Sequence, residues 1–180
     1  MSGRLAMSRG RDDATVLAVD DLQEYLDVYE HRLGDEYEVR TAHGGEAALA
    51  AIDEAVDVVL LDREMPGVSG DDVLAAIREE GYDCRVAMVT ANEPDEDVVG
   101  IGYDAYLRKP VSGDDLTEVV ERLRSLSAYV DAVTALHEAS ERRAAGEHDP
   151  ERVRELRDRA DDIADGFDPR DYRVVFRDLR

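Results

Sequence analysis

Lysine is nearly missing from this chain of 180 residues. Its 22 basic residues are 21 arginines and the single Lys109, set against 44 aspartates and glutamates, so the formal net charge is −22. Phosphates attract a basic surface, so we do not expect such a chain to bind nucleic acid through its overall charge. At molar salt the Debye length falls to about 3 Å, which screens the self-repulsion. We interpret this composition as that of a protein from a salt-filled cytoplasm, the alternative being an acidic protein with no such adaptation.

Cysteine and long apolar runs are scarce as well. Cys84 stands alone, which excludes an internal disulfide bond and favours a reducing compartment. No run reaches the ~18 apolar residues of a membrane helix, and residues 1–13 lack the apolar stretch of a signal peptide. We therefore expect a cytoplasmic protein with no membrane partner, a disordered leader over residues 1–13, and translation from Met1 or Met7.

Short apolar runs alternate with helical patterns over residues 14–126. Strands are predicted over residues 15–21, 37–42, 56–62, 84–91 and 104–110. Helices are predicted over residues 22–33, 44–55 and 70–80, briefly after Pro94, and from Gly113 or Asp114 behind a Ser112 cap. Apolar strands separated by helices indicate an α/β fold with a doubly wound parallel sheet.

Polar side chains occupy the carboxyl ends of these predicted strands: Asp20 and Asp21 after the first, Asp62 after the third, Thr90 after the fourth and Lys109 after the fifth. Ligands bind at this edge of such sheets. Clustered carboxylates repel one another unless a cation intervenes, and carboxylates, water and a phosphate oxygen suit Mg²⁺. A lysine ammonium and a threonine hydroxyl can hold phosphoryl oxygens. The pattern predicts a site where a carboxylate accepts a phosphoryl group.

The stretches VLAVDD, LLDREMPGVSG, MVTA and YLRKP resemble, in order and context, the receiver domain of two-component response regulators. The resemblance covers residues 15–126 or so, and we place the receiver domain at 14–126. It implies a flavodoxin-like sheet of five strands in the order 2-1-3-4-5. It also implies a phosphoacceptor with self-catalysed phosphoryl transfer and autodephosphorylation, rather than an enzyme acting on a separate substrate.

The resemblance implies a role for each matching acid. Asp62 would accept phosphoryl from a histidine kinase. Asp21 and Asp62 would ligate Mg²⁺, joined by the main-chain carbonyl of Glu64, with Asp20 acting through water. One departure concerns Glu64 itself, because an acidic side chain two residues after Asp62 would disfavour an incoming phosphate and change the lifetime of the phosphoryl-aspartate.

The resemblance also assigns the residues of the fourth and fifth strands. Lys109 would bind the phosphoryl oxygens, and its bond to Pro110 would be cis. Thr90 would bind and move toward the phosphate, and Tyr106 would swing inward behind it as a switch. Every other basic residue is arginine, so we infer that position 109 needs the compact ammonium of lysine rather than the wide planar guanidinium of arginine. A second departure is the crossover over residues 92–104, which is about one helical turn shorter than usual in the family.

Residues 127–180 show a different pattern, that of a helical output or dimerisation segment. Apolar residues recur at intervals of three and four from the last receiver helix into this segment, which predicts one long helix. These residues are Leu116, Val119, Leu123, Leu126, Val130 and Val133. Gly146 breaks it, and Asp149 with Pro150 opens a second helix carrying Val153, Leu156, Ala160, Ile163 and Phe167. We expect a helical hairpin or a dimeric bundle, with residues 172–176 as a short strand or a docked tail.

This segment carries a net charge of −4, against −18 for residues 1–126. Four arginines on its second helix form a possible basic patch, but interleaved acids can pair with them. The segment resembles the HalX-type output of response regulators in salt-loving archaea, which implies a regulatory or DNA-binding role. Two outputs stay open: transcription regulation through DNA, or a helix pair that dimerises or binds partner proteins without contacting DNA.

Overall fold

The computed structural model describes residues 14–91, 102–144 and 149–178. The strands are β1 Thr15–Asp20, β2 Glu38–His43, β3 Val56–Asp62, β4 Arg85–Thr90 and β5 Ala105–Arg108. The helices are α1 Gln23–Leu33, α2 Gly45–Ala51, α3 Gly70–Glu79, α4 Gly113–Ala144, α5 Pro150–Ala164 and α6 Pro169–Asp178. None of the helices within these ranges is long and apolar enough to cross a membrane.

All strands run parallel in the order β2-β1-β3-β4-β5. The doubly wound, flavodoxin-like α/β fold is thereby confirmed. Every residue of β1 and β4 is buried, as expected for central parallel strands covered on both faces. The register pairs Asp62 of β3 with Val89, and Thr90 of β4 with Arg108. Strand ends that are distant in sequence therefore lie side by side.

The element bounds differ from the predicted ones by one or two residues in most places. The largest difference within the described residues is at α2, which ends at Ala51 rather than at position 55, because Ile52 is already extended at φ −68° and ψ 131°. The leader over residues 1–13, the helix predicted after Pro94 and the break at Gly146 lie outside the described residues.

The chain divides into two compact units, up to Leu123 and from Arg124 onward. The predicted continuation of the last receiver helix is present as α4, which is 32 residues long. The helix after it begins as predicted, with Pro150 at its start and the Asp149 side chain accepting a hydrogen bond from the main-chain N–H of Arg152.

A third helix, α6, follows α4 and α5, so of the two alternatives for residues 172–176, a short strand or a docked tail, the strand is wrong. Reciprocal bonds start α6: the N–H of Asp168 donates to Asp171 Oδ2 at 2.8 Å, and the N–H of Asp171 donates to Asp168 Oδ1 at 3.2 Å. Such caps satisfy the first amides of a helix. Within this unit Phe167 meets the rings of Tyr129 and Tyr172 edge to face.

Candidate functional site at the carboxyl ends of the strands

Three carboxylates meet at the carboxyl edge of the sheet. Asp20, Asp21 and Asp62 each offer an oxygen atom, and these oxygens lie within 4.8 Å of one another. Asp20 is 0% and Asp62 is 5% exposed, whereas Asp21 is half-buried. The ends of β1 and β3, neighbours in the sheet, bring these acids together, as the strand-end pattern predicted.

Lys109 enters this cluster from the end of β5. Its Nζ donates to Asp20 Oδ2 at 2.7 Å and to Asp62 Oδ2 at 3.0 Å, and its side chain is 7% exposed. Its main-chain N–H donates to the carbonyl of Thr90 at 2.8 Å, which fixes its position against β4. The Lys109–Pro110 peptide bond is cis.

Main-chain amides hold the two buried acids in place. The N–H of Leu22 donates to Asp20 Oδ1 at 3.0 Å, and the N–H of Glu64 donates to Asp62 Oδ1 at 3.3 Å. The loop after β3 then packs Gly70 against the Asp62 main chain so closely that a Cβ at Gly70 would strike the Asp62 carbonyl oxygen. The loop backbone therefore determines where the Asp62 carboxylate lies.

Burial and the lysine act in opposite directions on the charges of this site. Burial raises the pKa of Asp62 above its ordinary value, although the hydrogen bond and positive charge of Lys109 lower it. Burial also disfavours the Lys109 ammonium, but its hydrogen bonds to Asp20 and Asp62 outweigh that effect and raise the pKa of Lys109. The ammonium is therefore held charged between the two acids.

The remaining predicted site residues lie on β4, on β5 and in the loop after β3. Thr90 is fully buried at the last position of β4. Tyr106 is half-buried on β5 opposite Met88, packs against the apolar core and has its ring centroid 6.1 Å from that of Tyr103. Glu64 is exposed just after Asp62. These placements put Thr90 and Lys109 at the same strand ends as the acids.

Two tyrosines of α1 belong to the site, although the sequence pattern indicated only an apolar helix face. The Tyr25 ring centroid lies 4.0 Å from Lys109 Nζ. The Tyr29 hydroxyl lies 3.5 Å from Asp20 Oδ2, and burial, reinforced by the nearby acids, raises the pKa of Tyr29. Their spacing of four and eight residues after Asp21 was the available signal, since it places both on the face of α1 that begins at the acid pair.

The donor set fits a divalent cation. Three carboxylates and one ammonium leave an excess of two formal negative charges, mostly shielded from bulk water. Mg²⁺ suits such a site because it binds one or two carboxylates and keeps several waters. Both oxygens of the fully buried Asp20 accept hydrogen bonds, Oδ1 from Leu22 and Oδ2 from Lys109 and Tyr29. Asp21 is only half-buried, which favours Asp21 over Asp20 as a direct ligand.

Comparison with known proteins agrees with this geometry. Residues 16–121 match the family model of the response regulator receiver domain. A Haloferax volcanii protein named "Putative transcriptional regulator" is 50% identical over 133 residues, covering 73% of this chain and 23% of that protein. Transcriptional regulatory protein CpxR of Escherichia coli K12 is 37% identical over 115 residues, covering 62% of this chain and 48% of CpxR. The chain thus spans about a quarter to a half of the length of these curated relatives.

Solved structures give the same result. The crystal structure of the response regulator TrrA from Thermotoga maritima, in complex with Mg²⁺ and BeF, is 34% identical and superposes with a TM-score of 0.55. The match covers 61% of this chain and 98% of TrrA. With more than half of its length matched by the family model, this chain belongs to the response regulator receiver domain family.

Proposed function

We propose that this protein accepts a phosphoryl group on Asp62 from a histidine kinase, with Mg²⁺ as cofactor, and so acts as the response regulator of a two-component pathway. The observation that carries the proposal is the bridge from Lys109 Nζ to both Asp20 and Asp62 within the three-carboxylate cluster. The cluster supplies a nucleophile, a metal site and a fixed positive charge in one place.

The transfer forms one bond and breaks another. An Asp62 oxygen attacks the phosphorus of a phosphohistidine, a P–O bond forms, and the P–N bond breaks with its electron pair returning to the imidazole nitrogen. The imidazole takes up a proton as it leaves. Water later attacks the phosphorus of the acyl phosphate, the P–O bond to Asp62 breaks, and inorganic phosphate leaves while the Asp62 carboxylate is restored. The chain thus performs its own dephosphorylation and needs no further substrate.

The neighbouring residues stabilise the charge that develops during this transfer. Asp21, Asp62 and the main-chain carbonyl of Glu64 would hold Mg²⁺, with Asp20 contacting it through water. The bound cation would neutralise negative charge on the phosphoryl oxygens. Lys109 would turn from the acids to a phosphoryl oxygen. TrrA, which is similar to this chain, was crystallised in complex with Mg²⁺ and BeF, and this supports Mg²⁺ as the cofactor.

Thr90 and Tyr106 would carry the signal away from the site. Thr90 ends β4, and its main-chain carbonyl accepts a hydrogen bond from the N–H of Lys109, which supports a role for the Thr90 hydroxyl in binding a phosphoryl group on Asp62. Tyr106 lies three residues before Lys109 on β5 and is half-buried against the core. Movement of Thr90 would open space for the Tyr106 ring, changing the surface of β4 and β5.

We infer that the signal reaches the C-terminal helices as a HalX-type output that regulates transcription. The names of the Haloferax volcanii and Escherichia coli relatives support this output. The alternative is a module that dimerises or binds partner proteins without DNA, which the interleaved charges of α5 favour. Arg152 and Glu155, for instance, approach to 3.4 Å on the surface of that helix.

Crosslinking in cells at their native salt separates these outputs. Discrete DNA sites recovered with the purified protein, and lost when residues 127–180 are deleted, would establish a DNA-binding regulator. Recovery of protein partners with background DNA alone would establish the interaction module. We expect the chain without this segment to keep a folded receiver unit, and its unchanged phosphoryl uptake is the control.

We further propose that the protein works in a salt-rich cytoplasm, because a net charge of −22 is self-repelling in dilute buffer. Melting curves in rising KCl test this directly. The melting temperature should climb steeply between dilute buffer and molar KCl, and a fold that is equally stable in both would contradict the proposal.

The phosphoryl transfer is tested with phosphoramidate and Mg²⁺, followed by the intact mass of the protein. Wild-type protein should gain the mass of one phosphoryl group, and chelation of Mg²⁺ should abolish the gain. The matched variant Asp62→Asn should gain nothing. Equal uptake by wild-type protein and the Asp62→Asn variant would reject Asp62 as the acceptor.

A further inference from the structure

The Lys109 ammonium is contacted on more than one side. Two of its three N–H bonds are accounted for by Asp20 and Asp62, at 2.7 and 3.0 Å. The Tyr25 ring covers it from the side of α1, with the ring centroid 4.0 Å from Nζ. A cation within about 6 Å of an aromatic centroid is attracted by the negative face of the ring. The ammonium therefore lies between a pair of acids and an aromatic face.

The position of the Tyr25 ring is itself fixed by neighbouring groups. Its plane stacks on Tyr29, with centroids 6.3 Å apart and an interplanar angle of 28°. Tyr29 is 1% exposed, and its hydroxyl lies at Asp20. The main chain adds a second link, because the N–H of Leu22 donates to Asp20 Oδ1 and the N–H of Tyr25 donates to the carbonyl of Leu22 at 3.0 Å. The first turn of α1 is thus tied to the acid cluster.

The contact of Lys109 with the Tyr25 ring and its contact with Asp62 respond differently to an incoming phosphoryl group. The ammonium must give up at least part of its contact with Asp62, whose oxygen becomes bonded to phosphorus. A lysine is a compact charge on a flexible stem with much rotamer freedom. The Tyr25 ring accepts no phosphoryl group and carries no formal charge, so its contact with Nζ can persist through the transfer.

We propose that Tyr25 is a positioning residue for Lys109: the face of its ring holds the ammonium beside Asp62 so that it meets the incoming phosphoryl oxygen. The proposal rests on the proposed function, since it concerns the same phosphoryl site. Tyr25 acts through Lys109 and touches no reacting atom. The ring face carries the effect and the hydroxyl does not, because the cation contacts the π-system.

The test compares Tyr25→Leu, which removes the ring, with Tyr25→Phe, which keeps it. Tyr25 is half-buried on a helix surface, and leucine is a good helix former, so the first variant should fold. Tyr29→Phe is a further control that removes only the hydroxyl facing Asp20. Melting curves of all four proteins confirm that the fold is kept.

The first readout needs no phosphoryl donor. Because Lys109 is the only lysine, protein labelled with ¹³C,¹⁵N-lysine gives NMR side-chain signals from this residue alone. The ring current of Tyr25 should shift these signals away from free-lysine values in wild-type protein and in the Tyr25→Phe variant. The shift should collapse in the Tyr25→Leu variant, and unchanged signals there would overturn the inference.

The second readout is the maximal rate of phosphoryl uptake from phosphoramidate at saturating Mg²⁺. Loss of the ring should slow uptake about 2- to 30-fold, the range that a cation–π contact provides. Tyr25→Phe should restore the rate to within about twofold. Equal rates in all variants, with the NMR shift lost in Tyr25→Leu, would overturn the inference while leaving the proposed function in place. A wild-type protein that takes up no phosphoryl would overturn both.

Discussion

Lys109 lies closer to Asp20 than to Asp62: Nζ is 2.7 Å from Asp20 Oδ2 and 3.0 Å from Asp62 Oδ2. The lysine therefore bridges the β1 and β3 strand ends. Its charge partly offsets the repulsion between two buried acids. We infer that this bridge is the reason for the one lysine in a chain that otherwise uses arginine.

The first prediction concerns Lys109→Arg. A planar guanidinium is too wide to replace a compact ammonium between two acids 2.7 and 3.0 Å away. We expect the variant to fold but to take up phosphoryl from phosphoramidate at least about tenfold more slowly, a change of about 1.4 kcal/mol in the barrier. Initial rates of uptake measure this, and Arg108→Lys beside it, on an exposed side chain, is the matched control. Normal uptake and signalling by Lys109→Arg would contradict the account of the single lysine.

The second prediction concerns the stability of Asp62→Asn. Burial raises the pKa of Asp62 above its ordinary value of 3.8, so the charged carboxylate is less favourable in the folded protein than in the unfolded chain. The stability contributed by this group is fully present below pH 3.8 and is lost as the pH rises through the raised pKa. Asp62→Asn removes this loss and should melt above wild-type protein at pH 7 without divalent cation.

The same variant reports on the metal. A ligand that binds only the folded state stabilises it by about 2.7 kcal/mol at a hundredfold excess over its Kd. At this chain length each kcal/mol raises the melting temperature by about 2–4 °C. Mg²⁺ should therefore raise the melting temperature of wild-type protein and raise that of Asp62→Asn much less. Ca²⁺-free and chelator-treated samples at constant KCl are the controls. Equal shifts of the melting temperature in wild-type protein and in Asp62→Asn would show that Mg²⁺ binds elsewhere.

Gly70→Ala should displace the main chain at Asp62 and so disturb the site. An added Cβ would meet the Asp62 carbonyl oxygen and come within 2.8 Å of the Arg63 Cα. These neighbours are main-chain atoms, so the β3 end itself must move. We expect a loss of about 1–3 kcal/mol in the free energy of unfolding and slower phosphoryl uptake. Gly81→Ala is the contrasting variant. A φ of 77° at Gly81 is strained for any residue with a side chain, although no atom lies within 4 Å of the added Cβ. It should cost stability but leave the uptake rate of the folded protein unchanged.

Asp104 is a buried acid outside the site whose loss should destabilise the fold. Its side chain is fully buried and accepts from Arg78 Nη2 at 2.9 Å, Arg85 Nη1 at 3.3 Å and the N–H of Val86 at 2.7 Å. Asp104→Ala leaves these donors without their acceptor and should lower the free energy of unfolding by about 2–4 kcal/mol. Denaturant unfolding at constant KCl measures this loss. Glu38→Gln, which breaks an exposed pair with Arg40, should cost less than about 1 kcal/mol. Similar losses in both variants would contradict a structural role for the buried cluster.

Much of the receiver fold could be predicted because its central strands β1, β3 and β4 are buried on both faces. The run VDVVLLD of β3 has no polar alternation, which indicates a central parallel strand. Parallel strands then bring their carboxyl ends to one edge, so Asp20, Asp62, Thr90 and Lys109 could be placed together before any coordinates were known. Sequence order and strand direction were sufficient for this placement.

Contacts between elements could not be predicted in the same way. Helical spacing showed that Tyr25 and Tyr29 lie on the apolar face of α1, but not that this face meets the Lys109 ammonium from β5. That contact depends on how the helix lies across the sheet. The α6 helix was missed because β-branched Val174 and Val175 indicate a strand, whereas the capping bonds between Asp168 and Asp171 begin a helix just before them.

The most direct test of the central claim is to locate the phosphoryl group. Borohydride reduces an aspartyl phosphate to homoserine, so protein treated with phosphoramidate and Mg²⁺, reduced and digested should carry homoserine at the acceptor. The account predicts homoserine at position 62, absent without Mg²⁺ and absent in Asp62→Asn. Homoserine at Asp20 or Asp21 instead, or the same labelling of Asp62→Asn, would contradict it.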